Sequence, residues 1–146
     1  VFYSFTDDPD LIFVDFHEDG RDLYPGTGDI TETGDGAARG TKLNIPMPPG
    51  ASDELFMKLW PRAEAFIRNS KPEFVLIQCG ADSIAGDPIT HMAYSTSSHR
   101  YAVSRLCDIA NTFCDGRVVA MGGGGYDLDN IAKTWSAVVS TMIKAD

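Results

Sequence analysis

Three stretches of the chain set polar or titratable side chains beside glycine, the pattern that a reactive cleft needs. In CGADSIAGDP, Asp82 stands just past an apolar run ending at Cys79, where a carboxylate can reach a cleft and ligate a divalent ion; Asp87 follows in the same stretch. The other reading of both is turn capping, because Asp-Ser and Gly-Asp-Pro are common turn chemistry. In GGGGYD, Tyr126 directly follows the glycines Gly122 to Gly125. A phenol held rigidly beside a metal donates to a carbonyl oxygen and stabilises an oxyanion; the competing reading is an interfacial ring with a wet hydroxyl. The glycines, followed by a helix start, can also cradle a phosphate. The run matches neither GxGxxG, because Asp127 takes the place of the last glycine, nor a Walker loop.

The remaining reactive residue types read as structural. His17, in DFHEDG, does not complete HExxH, and His91 and His99 lack ligand-like spacing. No GxSxG elbow occurs. Cys79, beside an apolar strand, reads as an inert buried thiol.

The elements that must position these residues follow from hydrophobic periodicity. LIFV (Leu11 to Val14) reads as a strand, and Asp19 to Gly40, punctuated by YPGTGD and GDGAARG, as an ordered surface loop. In TKLNIPM, Leu43, Ile45 and Met47 alternate with polar or special residues, which predicts a half-buried strand stopped by Pro48 and Pro49. Phe56, Trp60, Ala63 and Ile67 recur at helical spacing after Ser52, a candidate cap, and Pro61 predicts a kink. FVLIQC (Phe74 to Cys79) is apolar through most of its length, as strands covered on both faces are. A second helix carries Ala102, Leu106, Ile109, Ala110 and Phe113, RVVAM (Arg117 to Met121) is another buried strand, and a third helix follows the cap Asp127. Alternating strands and helices specify an α/β fold with a parallel sheet, in which ligands gather at the carboxyl ends of the strands. The Asp82 and Tyr126 segments both lie there.

Composition narrows the function classes. The 146 residues carry 12 Lys+Arg and 21 Asp+Glu, a net charge of −9, so nucleic acid is not an expected partner. The chain is 43% hydrophobic and 23% charged, enough apolar material for a core. No apolar run approaches the ~20 residues of a membrane span. Three irregularly spaced cysteines (Cys79, Cys107, Cys114) fit free thiols in a reducing, cytoplasmic setting. The first residues lack the order of a secretion signal, and with no Met at position 1 the chain reads as a fragment.

In this order and spacing, DFHEDGRDLYPGTGD, QCGADSIAGDP and GGGGYDLDNIAKTW resemble the second half of the arginase/deacetylase-type catalytic domain of bacterial acetoin-utilisation proteins and class I histone deacetylases. The resemblance covers essentially the whole chain. It implies a parallel sheet flanked by helices, incomplete here, and a metal-dependent amidohydrolase that removes acetyl from an acetylated lysine side chain with Zn²⁺ or Fe²⁺. By it, Asp82 is a metal ligand and Tyr126 polarises the carbonyl. Gly124 and Gly125 run close to the acyl chain. Tyr24, preceded by Leu23, walls the tunnel where histone deacetylases carry Phe, and Ile89 stands at the tunnel mouth. Eukaryotic-type acetylpolyamine deacetylases have glutamate at that place, so acetyl-lysine is the expected substrate and acetylpolyamine the alternative.

Asp15 and Phe16 fall where the family has Ser-Leu or Ser-Phe beside a structural monovalent cation such as K⁺, and Asp15 departs from that serine. The family's paired histidines and its Asp-x-His ligand pair lie upstream of where Val1 falls. A catalytic zinc takes three protein ligands, so the chain is expected to be the carboxyl-terminal part (1–146) of a single catalytic domain, inactive alone. It should expose apolar surface that the amino-terminal half, or self-association, would cover. A competing reading is a non-catalytic protein-interaction module that keeps the fold.

Overall fold

The computed structural model describes residues 1–145. In chain order the strands and α-helices are β1 (Phe13–Glu18), β2 (Lys42–Met47), α1 (Asp53–Ser70), β3 (Val75–Cys79), α2 (Thr96–Phe113), β4 (Val118–Gly122) and α3 (Leu128–Met142). They fall into two compact units, Val1–Pro49 and a second that begins at Gly50.

In the first unit β1 and β2 pair in parallel, from Phe13↔Lys42 to Glu18↔Met47. The first strand starts later than the LIFV run and continues through Asp15 and His17, because the ladder with β2, not the apolar run, sets its limits. The second is buried along nearly its whole length rather than on one face. Its polar residues are tolerated inside because they satisfy main-chain groups. Lys42, only 1% exposed, donates its ammonium to the carbonyls of Asp8 (2.8 Å) and Leu11 and to the Thr41 hydroxyl (3.0 Å). Asn44 Nδ2 donates to the Glu32 carbonyl at 2.8 Å. The Glu32 carboxylate in turn accepts the N–H groups of Gly28 and Asp29, both at 2.9 Å, which orders the long loop from within.

In the second unit β3 and β4 pair in parallel from Val75↔Val118 to Cys79↔Gly122. Their covered face forms a core with the helices, in which Val75, Ile77 and Cys79 meet Val103, Cys107, Ala110 and Cys114 of the α2 segment and Val138 of α3. The other face is open. Leu76 of β3 is 62% exposed and Val119 and Met121 of β4 are 43% and 44% exposed, so neither β3 nor β4 is the strand buried on both faces that its apolar sequence predicts. An apolar run records what a strand packs against in its whole setting, and in this chain helices reach one face only.

Helix ends follow sequence chemistry in part. Asp127 caps α3 by accepting the Asn130 N–H at 2.8 Å, and Ser95 caps α2 by accepting that of Ser97 at 3.1 Å. Ser52 occupies the cap position of α1 without a side-chain cap bond. The neighbouring Asp53 instead accepts the Ser95 N–H at 2.9 Å and the hydroxyls of Ser95 and Ser98, which ties the start of α1 to the start of α2. The α1 helix runs through Pro61. Along it, Glu64 gathers Trp60 Nε1 (2.9 Å), Arg68 Nε (2.8 Å) and Arg105 Nε of α2 (3.0 Å).

Candidate active site

Because Cys79 pairs with Gly122, the two strands of the second unit end level, and the loops that follow leave from the same edge. They are laced together at once. The Ala81 N–H donates to the Gly124 carbonyl at 2.7 Å. A β-carbon on Gly124 would lie 1.9 Å from Asp82 Oδ2, so the carboxylate rests directly on glycine main chain. Gly125 has φ of +139°, which L side chains rarely adopt. These two glycines are therefore required by a close approach and by backbone geometry respectively.

Asp82 is half-buried. Desolvation is the main cause that raises its carboxyl above the ordinary aspartate range, and the charge of Asp87 adds to it. A cation against this carboxylate would reverse the penalty. Its own carbonyl accepts the Thr90 hydroxyl. One residue before Ala81, the Gly80 carbonyl lies 2.8 Å from His99 Nε2, in the first turn of α2, so that nitrogen carries the ring proton. Burial pushes His99 below the usual imidazole range, in keeping with a neutral donor.

Tyr126 leaves the glycine run with its main-chain N–H donated to Asp87 Oδ2 at 2.9 Å, while its side chain is 56% exposed. The phenol is thus free to meet a ligand and its backbone is anchored. Asp87, which the sequence leaves between ligand and turn cap, is a cap: Oδ1 accepts the N–H groups of Ile89 (2.9 Å) and Thr90 (3.3 Å). Ile89 itself is 48% exposed beside this turn. The structure brings Asp82, Ile89, Gly124, Gly125 and Tyr126 into one pair of adjoining loops. The roles of His99, Thr90 and Asp87 in holding those loops escape sequence reading. Only the Gly-Asp-Pro turn signal of Asp87 points toward any of them, because the bonds join segments far apart in the chain.

The phosphate reading of Gly122 to Gly125 loses its footing here. Carboxylates take up the backbone that an anion would need: Asp82 lies on Gly124, Asp87 holds the Tyr126 N–H, and Asp127 caps the helix. Cys79 is buried, which pushes its thiol up to about 11 and leaves it unreactive.

In the first unit Tyr24 is 93% exposed and Leu23 is half-buried, on the turn where the Gly26 N–H donates to the Leu23 carbonyl at 3.1 Å. Asp15 and Phe16 lie on β1. The Asp15 carboxylate sits 3.2 Å from His17 Nδ1, and His17 Nε2 lies 2.9 Å from the Gly28 carbonyl. Burial lowers the pKa of His17, but Asp15, with the Gly28 carbonyl and Asp19, more than offsets this and raises it.

Asp82 fits one place in a divalent-ion site: a carboxylate whose burial raises its pKa more than its neighbours lower it. Among the described residues, however, no three His, Cys, Asp or Glu side chains gather closely enough to hold a metal ion. These residues alone do not make a catalytic zinc site, which takes three protein ligands. Among the described residues, too, no helix is long and apolar enough to cross a membrane.

The chain is similar to known proteins over nearly its whole length. The chain is 32% identical over 140 residues to the acetoin utilization protein AcuC of Bacillus subtilis, covering 94% of this chain and 36% of that protein. It is 36% identical over 130 residues to a probable deacetylase of Archaeoglobus fulgidus (88% and 35% covered). It is 33% identical over 136 residues to the chloroplastic histone deacetylase 14 of Arabidopsis thaliana (90% and 31% covered). The chain thus spans about a third of the length of these relatives. Its fold superposes on the histone deacetylase Clr3 with a TM-score of 0.88 and 26% identity, over 98% of this chain and 24% of that one. On the HDA15 HD domain the TM-score is also 0.88, with 24% identity, over 96% and 39%. The histone deacetylase domain family matches residues 1–142, and the chain belongs to it.

Proposed function

We propose that this chain forms the carboxyl-terminal part of the catalytic domain of a metal-dependent lysine deacetylase, and that it is inactive without the rest of that domain. One observation carries this reading: a desolvated carboxylate, Asp82, and an anchored, solvent-open phenol, Tyr126, stand on two loops laced together at the carboxyl ends of paired parallel strands. In this reading Asp82 is one ligand of a Zn²⁺ or Fe²⁺ ion whose other ligands come from outside the chain. Such an ion polarises an amide carbonyl and lowers the pKa of water. The work of this chain's own residues is distinct from that: Tyr126 Oη donates a hydrogen bond to the carbonyl oxygen as charge builds on it. The bare main chain of Gly124 and Gly125 leaves room for the acyl group. Tyr24 and Leu23 are the tunnel-wall residues of this reading, and the apolar Ile89 favours an acetyl-lysine side chain over a cationic polyamine. Asp15 and Phe16 belong to the region of a structural monovalent cation, K⁺, in which the Asp15 carboxylate takes the place of a serine hydroxyl. The free, buried cysteines Cys79, Cys107 and Cys114 fit a reducing cytoplasm.

The test is deacetylation of an acetyl-lysine peptide by the chain alone, by the complete domain, and by the chain combined with the separately expressed preceding half. Activity of the last two, dependent on added Zn²⁺ or Fe²⁺, is the expected result. A complete domain that binds the peptide but never hydrolyses it would leave the interaction-module reading in its place.

A further inference from the structure

Asp87 makes bonds that no turn cap needs. A cap of the Gly-Asp-Pro turn is complete once Oδ1 has accepted the N–H groups of Ile89 and Thr90, at 2.9 and 3.3 Å. Its second oxygen reaches 39 residues along the chain to accept the Tyr126 N–H at 2.9 Å. The residue is only 8% exposed, so both oxygens are spent inside the protein rather than on water. The loop it belongs to is also fixed to the other functional residue, because the Thr90 hydroxyl donates to the Asp82 carbonyl. One buried carboxylate therefore sets the main chain of three residues at once: Ile89, Thr90, which carries Asp82, and Tyr126. Tyr126 needs this. It follows a run of glycines, the most permissive backbone there is, and within the described residues its N–H bond to Asp87 is the tie that meets it first after that run.

We infer that Asp87 is a positioning residue, whose carboxylate holds the Tyr126 main chain in register with Asp82 and so places the phenol for reaction. The inference rests on the reading of Tyr126 given above and adds the group that orients it. A phenol that donates to a developing oxyanion must be held within a few tenths of an ångström, so a loosened strap lowers turnover without removing a catalytic group.

The discriminating variant is Asp87→Asn. Its amide oxygen can still accept from Ile89 and Thr90, while its NH₂ group cannot accept from Tyr126. Hydrogen exchange on the chain itself is the first readout. The Tyr126 amide should exchange about tenfold faster or more in the variant, while the Ala81 amide, bonded to Gly124, keeps its rate. In the complete domain kcat should fall by about tenfold or more with KM changed less than about twofold and metal content unchanged, and the loss should nearly vanish in a Tyr126→Phe background. Asp87→Ser, whose hydroxyl can serve the turn but is too short to reach Tyr126, gives the same pattern where the Asn variant folds poorly. Unchanged exchange at Tyr126, or losses that multiply independently in the double variant, would overturn the inference. Full turnover by Tyr126→Phe alone would instead overturn the role of the phenol, and the exchange measurement would still decide whether the strap exists.

Discussion

Asp82 Oδ2 lies 1.9 Å from the point where Gly124 would carry a β-carbon. Nothing larger than hydrogen fits between carboxylate and backbone, and the nearest obstacle is the candidate ligand itself. Gly124→Ala must therefore push Asp82 off its seat. In the complete domain the variant should lose about 10²-fold in turnover, the scale of a misplaced reacting group. It should also bind its metal more weakly. Turnover measured against metal concentration checks both, and an Ala variant with native metal affinity would show that Asp82 is no ligand.

Tyr126→Phe keeps the ring and removes the donor. Turnover on an acetyl-lysine peptide should fall by about 10² or more, as for loss of an oxyanion donor, with the folded state unaffected because the hydroxyl is on an exposed side chain. Steady-state kinetics with a parallel melting curve separate the two effects.

Glu64 links α1 to α2 through Arg105, and that guanidinium, with Arg68 and Trp60, holds its carboxyl at about 2, against 4.5 for an ordinary glutamate. The folded state thus binds this proton more weakly than the unfolded chain. The clasp stabilises fully above about pH 4.5, and its contribution is lost as pH falls from there toward 2. Melting temperatures taken from pH 6 down to 2 should drop, and Glu64→Gln should be less stable at pH 6 but show a shallower decline in that acid window.

Lys42→Met keeps the stem and discards the ammonium. The carbonyls of Asp8 and Leu11 then lose their donor inside the protein. An unsatisfied buried group costs about 1–3 kcal/mol, so a loss of roughly 2 kcal/mol or more is expected, a melting temperature lower by about 5 °C or more. Calorimetry of the chain decides it, and a neutral result would mean that water replaces the ammonium.

The order of elements was legible because each apolar run or helical stripe overlaps its strand or helix, though β1 is shifted along the chain from LIFV, and the segment ends at Cys79 and Met121 point to the edge where Asp82 and Tyr126 stand. What escaped was pairing across distance. Ser52 looks like a cap, yet Asp53 makes the contacts, because its reach to Ser95 and Ser98 depends on where α2 begins. The burial of Lys42 depends on Asp8 and Leu11, far back in the chain, turning their carbonyls on it. For the same reason the Gly-Asp-Pro signal shows a turn but not the bond from Asp87 to Tyr126. The apolar sequence of β3 fixes its strand character, but not how many of its faces are covered in a given length of chain.

The face of Gly124 on which the Asp82 carboxylate rests is bare main chain, so a substitution there can only crowd it. Position 124 is closed to a methyl group by the Asp82 carboxylate, whereas at position 123 the first atoms met belong to the flexible, exposed side chain of Gln78. Ile89, by contrast, stands half in water at the rim, where a substitution meets solvent on one side.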